Sequence, residues 1–274
     1  MFVSLNIKEY KDLRFQEKIR HRLGLLKPEP QRVYFENLAY YKINLVGSGE
    51  EINFEKIYEI SPRFSKSVLM PEGFEPPEKG HVRRHRAARL AEKAGLMSVM
   101  ALTESARIPL SRRCMGLIDI DGAHQDFAEA MVRFSPVVKV VTKRPDLYDK
   151  CADGMMSKYG APLLLYDGAE FLADCDLIYS PDSTGLSGAT KAPIISACRG
   201  GRGLPANVYC VKALEVPEKY LAQIPEGIDA LDFLDAVYTF GEMNELEKLK
   251  VKDFDSAFGT VGFEDILSKI KRYY

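Results

Sequence analysis

The string Asp119-Ile120-Asp121-Gly122 closes an apolar run over residues 113–120 and opens a helical pattern over residues 123–134. Paired carboxylates at such a corner repel a bare diphosphate unless a cation intervenes. Asp and Gly are also the ordinary residues of strand-to-helix turns and helix N-caps, so the same string reads as a built turn. Three further strings carry polar chemistry. Thr142-Lys143-Arg144 follows a β-branched run. Ser180 ends another and is followed by Ser183, Thr184, Gly185 and Ser187. Cys198-Arg199-Gly200-Gly201-Arg202-Gly203 follows a third. The glycines of that last string let successive backbone N–H groups converge on an anion, and its two arginines add bidentate charge. A flexible surface loop is the alternative there, and a polar turn is the alternative for the hydroxyl-rich string.

Periodicity defines the elements that must position these residues. Residues 8–26 place Tyr10, Leu13, Phe15, Ile19 and Leu23 at helical spacing, with stop signals at Gly24, Pro28 and Pro30. Residues 32–46, rich in Val, Tyr, Phe and Ile, are expected to turn at Gly47-Ser48-Gly49 and pair with residues 52–60 as an antiparallel hairpin. Tyr34, Phe35, Tyr40 and Tyr41 then read as hairpin packing. A seam at Pro71, Gly73, Pro76, Pro77 and Gly80 precedes an expected basic helix over residues 82–93, carrying Arg83, Arg84, Arg86, Arg89 and Lys93. His81 and His85 have a metal-compatible spacing but read as solvated members of that basic face, with no Glu or Cys partner in evidence.

Beyond residue 112 the rhythm changes. Strands of four to seven residues are expected within 113–120, 136–142, 162–166, 176–180, 192–197 and 208–214. They alternate with helices over 123–134 and 145–159, the second stopped by Gly160, and with a short turn over 169–173; a helix-rich tail follows. Near-continuous apolar strands imply a parallel sheet covered on both faces, and right-handed crossovers make it doubly wound. In such a sheet ligands lie outside the carboxyl ends of the strands, where strand order reverses. That rule selects the loops 119–124, 142–145, 166–169, 180–188 and 198–203.

From about residue 112 to residue 214 this order resembles the Rossmann-type NAD(P)-binding domain of dehydrogenases. The likeness is carried by the strand, turn and helix through Asp119, by the β-branched strand before Thr142, and by Ala173-Asp174-Cys175-Asp176-Leu177-Ile178-Tyr179-Ser180 and Ala192-Pro193-Ile194-Ile195-Ser196-Ala197. The resemblance implies that the strand ending at Ser180 passes beneath a dinucleotide. It also implies that Lys143 and Arg144 meet a 2′-phosphate, as expected for NADP rather than NAD. The family's Gly-x-Gly-x-x-Gly turn is replaced here by Asp119-Ile120-Asp121-Gly122-Ala123-His124, with one glycine and two carboxylates.

The apolar strand ending Asp-x-Asp-Gly is also similar to the first motif of haloacid-dehalogenase-type phosphohydrolases. That resemblance implies Asp119 as the nucleophile that forms an aspartyl-phosphate, Asp121 as general acid/base, and Mg²⁺ neutralising the carboxylates and phosphate. Thr142 would fill the family's Ser/Thr motif, Lys143, Lys150 or Lys158 its lysine, and Asp167 or Asp174 would complete the metal site. Thr142 follows Asp119 by only 23 positions, too few for the flap that this family inserts.

Composition bounds the rest. Lys and Arg number 38 against 39 Asp and Glu, which excludes a globally basic nucleic-acid coat. No apolar run reaches the length of a membrane helix, and the first residues lack a signal-peptide core, so a cytoplasmic location with no membrane partner is expected. The five cysteines form no Cys-x-x-Cys pair and read as reduced, mostly buried residues.

The expected fold is thus a doubly wound, mainly parallel Rossmann-like sheet over residues 106–274, with a helical C-terminal tail, preceded by an α+β region over residues 1–105. The expected function is a small-ligand-binding or interaction module, its ligand a nucleotide or phosphorylated small molecule. The candidate ligand residues are Gly122, Thr142, Lys143, Arg144, Ser180 and Arg199. An NAD(P)-dependent oxidoreductase with an atypical phosphate turn and an Mg²⁺-dependent phosphohydrolase using Asp119 and Asp121 are the alternatives.

Overall fold

The computed structural model describes residues 1–8, 10–22, 28–47, 52–182, 190–199 and 203–270. In chain order the first elements are β1 (Val3–Lys8), α1 (Phe15–Arg22), β2 (Pro30–Phe35), β3 (Leu38–Val46), α2 (Phe54–Ile60), β4 (Val68–Leu69) and α3 (Arg89–Ser105). Then come β5 (Cys114–Ile118), α4 (Gln125–Val132), β6 (Val137–Val141), α5 (Asp149–Tyr159), β7 (Leu163–Tyr166), β8 (Leu177–Ser180), β9 (Ile194–Ser196) and β10 (Val208–Leu214). The chain finishes with α6 (Glu218–Leu221), α7 (Ala230–Gly241), β11 (Val251–Ser256), β12 (Gly259–Gly262) and α8 (Phe263–Ile270).

The chain divides into two units. One comprises Met1–Leu90 and Val216–Leu246, the other Ala91–Glu215 and Glu247–Tyr274. The sequence leads one to expect a single boundary after residue 105, whereas the first unit also holds α6 and α7, which follow the chain's passage through the second.

The first unit is built on a four-stranded sheet in the order β2-β3-β1-β4, antiparallel between β2 and β3 and parallel elsewhere. Its core is aromatic: Phe2 stacks on Tyr40 with ring centroids 4.9 Å apart, and Phe233 of α7 presents its edge to Phe2, Phe35 and Tyr40. The hairpin lies within residues 30–46 and closes at Glu36-Asn37, with Glu36 at φ +51°, rather than pairing residues 32–46 with 52–60. Residues 54–60 are helical instead. The Asn53 side chain accepts from the N–H groups of Glu55 and Lys56, an N-cap that fixes the first turn and buries Ile57. Helix also replaces only part of the run expected from residue 8, because Lys8 ends β1.

The expected basic helix over residues 82–93 begins only at Arg89. Two carboxylates on α7 explain the delay. Asp232 Oδ1 accepts from Ala87 N at 2.7 Å, and Asp235 Oδ1 accepts from Ala88 N at 3.1 Å and from Leu90 N at 2.6 Å. Backbone donors held by side chains leave no helical turn to form before residue 89. Three of the arginines are turned inward or held: Arg84 reaches the Phe74 carbonyl and Glu75, Arg86 pairs with Glu75 at 2.6 Å, and Arg83 donates to the Glu78 carbonyl. His81 and His85 share no helical face. His81 stacks on Tyr58, whereas His85 bridges Ser67 Oγ at 2.9 Å and Asp235 Oδ2 at 3.0 Å.

The second unit carries an eight-stranded sheet in the order β12-β11-β10-β9-β8-β5-β6-β7. From β7 to β10 every neighbour is parallel. Numbered among themselves, these six strands run 3-2-1-4-5-6, the order of a Rossmann fold, and the order reverses between β5 and β8. The fold is therefore the doubly wound, mainly parallel Rossmann-like sheet expected. The tail is not wholly helical: β11 and β12 extend the sheet as an antiparallel hairpin. Among the described residues, no helix is long and apolar enough to cross a membrane.

On this sheet α3 packs against Tyr179 of β8 at Gly95. A Cβ there would lie 2.9 Å from the Tyr179 ring, whose hydroxyl donates to the Glu92 carbonyl at 2.6 Å. That hydrogen bond and full burial leave the ring little room to retreat. Alanine improves helix propensity by about 1 kcal/mol over glycine, while overpacking costs about 1–3 kcal/mol. Gly95→Ala should therefore lower the urea midpoint rather than raise it, with an unchanged m-value.

Candidate functional site

The loops selected by the sheet begin where β5 ends. Asp119 continues the ladder, its N–H donating to Val141 O at 2.9 Å, and the residue is only 3% exposed. The chain then curls around that carboxylate. Oδ1 accepts from Ala123 N at 3.0 Å, and Oδ2 accepts from His124 N at 2.9 Å and from the Tyr148 hydroxyl at 2.5 Å. Gly122 makes the curl possible: its φ is +69°, and a Cβ would meet Leu147 at 3.0 Å and Arg144 at 3.1 Å. Burial, and then the bond to Asp119, push the Tyr148 hydroxyl's pKa far up, so it stays protonated and donates.

The turn between the first strand and first helix of a Rossmann sheet is where backbone N–H groups meet the diphosphate of a dinucleotide. In this chain the Ala123 and His124 N–H groups of that turn already meet a carboxylate from the protein itself. Asp121 is exposed on the outside of the same turn.

The other strand ends repeat this inward arrangement. Thr142, buried after β6, accepts from Arg144 N at 3.0 Å and approaches Ile120 O at 3.4 Å, while Lys143 N donates to Ile120 O at 3.0 Å. These bonds tie the ends of β5 and β6 together. Arg144 is exposed and forks onto Asp146, at 3.1 and 2.9 Å; that pairing raises the Arg144 pKa and lowers that of Asp146. Ser180 is fully buried and donates to Asp182 O at 2.7 Å, and Ser196 at the end of β9 donates to the same carbonyl at 3.1 Å. Lys143 is exposed and Arg199 half-buried. Ser183, Thr184, Gly185 and Ser187, with Gly200, Gly201 and Arg202, lie outside the described residues.

Hydrogen bonds thus bring Asp119, Gly122, Thr142, Lys143 and Arg144 into one corner, with Ser180 and Arg199 at the ends of the neighbouring strands. Asp174 does not join them. It lies by Cys114, the first residue of β5 at the opposite edge, where the ligating atoms of Cys114, Asp174 and Cys175 come within 4.8 Å of one another. The Lys139 ammonium sits on Asp174 at 2.5 Å. Among the described residues this is the one three-residue cluster of His, Cys, Asp or Glu with such spacing, so none forms around Asp119 and Asp121. Lys158 pairs with Glu129 at 3.2 Å. The sequence reading missed Tyr148. Its only signal was a tyrosine on the buried side of a helical pattern, and a buried phenol needs a hydrogen-bond partner.

No protein-family model matches the chain, and no curated protein matches it. Solved structures give shallow likenesses. The Δ1-pyrroline-2-carboxylate reductase of Thermococcus litoralis, in complex with NADH and L-proline, is 18% identical over 43% of this chain and 39% of its own, with a TM-score of 0.31. The L-tryptophan dehydrogenase of Nostoc punctiforme is 11% identical over 85% of this chain and 66% of its own, at 0.34. The quinate dehydrogenase of Corynebacterium glutamicum, in complex with NAD, is 9% identical over 98% of both chains, at 0.31. This chain spans less than two thirds of the first two. The fold assignment rests on the strand order described above.

The corner is testable through stability. Tyr148→Phe withdraws one donor from a buried carboxylate and should cost about 1–3 kcal/mol in urea unfolding. Asp119→Ala strands two N–H groups and a phenol and should cost more, about 3 kcal/mol. The double variant should cost clearly less than the sum, because both changes break one network.

Proposed function

We propose that the Rossmann-like unit is a small-ligand-binding or interaction module and does not turn over a dinucleotide. The observation that carries this reading is the Asp119 carboxylate, which takes the Ala123 and His124 N–H groups at 3.0 and 2.9 Å. A diphosphate brought to this turn would have to displace a buried, hydrogen-bonded charge and then lie beside it. Neither step is favourable without a cation. The inward-turned Thr142, Ser180 and Ser196 support the same reading, since each is engaged in pinning its own loop. Positive charge at this edge comes from Lys143, Arg144 and Arg199, which suits a phosphorylated small molecule or a mononucleotide. Gly122, Thr142 and Ser180 shape the backbone around it. The Mg²⁺-phosphohydrolase reading needs an Asp119 oxygen free to attack, whereas both are occupied by donors.

One observation favours a second reading. The strand order is 3-2-1-4-5-6, and Lys143-Arg144 stand after the second strand, where a 2′-phosphate would be met in an NADP-linked oxidoreductase. That reading requires the Asp119 carboxylate to leave its turn.

Thermal melting separates the two. A ligand present at 100 times its Kd stabilises the native state by about 2.7 kcal/mol, or roughly 5–10 °C for a chain of this size. NADPH and NADH at about 1 mM should leave Tm within roughly 1 °C. A panel of phosphomonoesters should contain compounds that raise it, with the rise reduced in Lys143→Ala. A several-degree rise with NADPH alone would replace the first reading by the second.

A further inference from the structure

We propose that Cys198 and Cys210 form a reversible disulfide, closed by a hydroperoxide, at the carboxyl edge of the sheet. Their Sγ atoms are 2.7 Å apart, about 0.7 Å beyond the length of an S–S bond. The protein provides its own comparison: Cys114 and Cys175 approach only to 3.6 Å, an ordinary contact between two thiols. The short distance follows from strand register. Ser196 of β9 pairs with Cys210 of β10, and Cys198 N donates to Ser196 Oγ at 3.2 Å. This turn brings the Cys198 side chain back over its neighbour.

The two thiols have different environments and therefore different parts to play. Cys210 is fully buried, whereas Cys198 is partly exposed and meets an incoming oxidant first. The hydrogen bond with Cys210, followed by that with Ser196, holds the Cys198 thiol down to about 7 against the effect of burial. The bond to Cys198 and burial push the Cys210 thiol up. Cys198 is thus the attacking thiolate and Cys210 the resolving group.

Cys198 sulfur attacks the terminal peroxide oxygen and the O–O bond breaks. The departing alkoxide leaves as an alcohol after taking a proton, and Cys198 becomes a sulfenic acid. Cys210 sulfur then attacks the sulfenic sulfur; the S–S bond forms, and hydroxide leaves with the Cys210 proton as water. Two thiols and one hydroperoxide give one disulfide, one alcohol and one water. Two electrons pass to the peroxide.

The full chain, treated with one equivalent of hydrogen peroxide and then alkylated with iodoacetamide, should yield a peptide linking Cys198 to Cys210 that is lighter by two hydrogens. Cys114, Cys151 and Cys175 should be found alkylated, and dithiothreitol should abolish the link. In Cys210→Ser the oxidised Cys198 should be captured by dimedone. Alkylation of both Cys198 and Cys210 in peroxide-treated wild type would overturn the proposal. So would conversion of Cys198 to sulfinic acid without a link, or a Cys114–Cys175 link in place of Cys198–Cys210.

Discussion

The second unit depends on a buried negative charge placed where the chain must reverse. A carboxylate removed from water is costly unless donors surround it, and Asp119 receives three: two backbone N–H groups from the residues that follow and one phenol from the next crossover. One interaction therefore closes the first turn, fixes the entry to α4, and ties the loop after β6 to the end of β5 through Tyr148. On the proposed reading it also sets what the corner binds, because the Ala123 and His124 N–H groups point at the protein's own anion.

The same device appears in the first unit. Asp232 and Asp235, 2% and 1% exposed, take three N–H groups from residues 87–90 and one ring nitrogen of His85. They hold an extended segment until α3 can start. In both units a buried carboxylate replaces the glycine-rich or solvent-capped turn that would otherwise release the backbone donors. This arrangement is rigid, since removing the acid strands several donors at once.

What the sequence revealed follows from the range of each cause. The strands β5 to β10 were legible because their apolar, β-branched runs are a local property that burial on both faces of a sheet demands. Gly160 ended α5 for an equally local reason, the left-handed φ of +64° it adopts. The basic stretch reads as helix from its own residues, but its conformation is set by acids about 145 residues away. The helix over residues 54–60 was hidden by an imperfect alternation, although Asn53 was available as its cap. The hairpin of β11 and β12 is short and half-exposed, so it shows little period-two contrast. At the site, Asp119 and Gly122 were legible as a departure from a glycine turn. That the acid points inward was not, because that depends on Tyr148, a residue whose partner no spacing rule names.

The central claim is that the Ala123 and His124 N–H groups are bound to Asp119 and closed to a diphosphate. An NMR titration of NADPH into uniformly ¹⁵N-labelled protein, followed at those two amides, tests it most directly. The account predicts that both signals keep their positions as nucleotide is added. Movement of both amides that saturates at micromolar NADPH in the absence of divalent cations would contradict it.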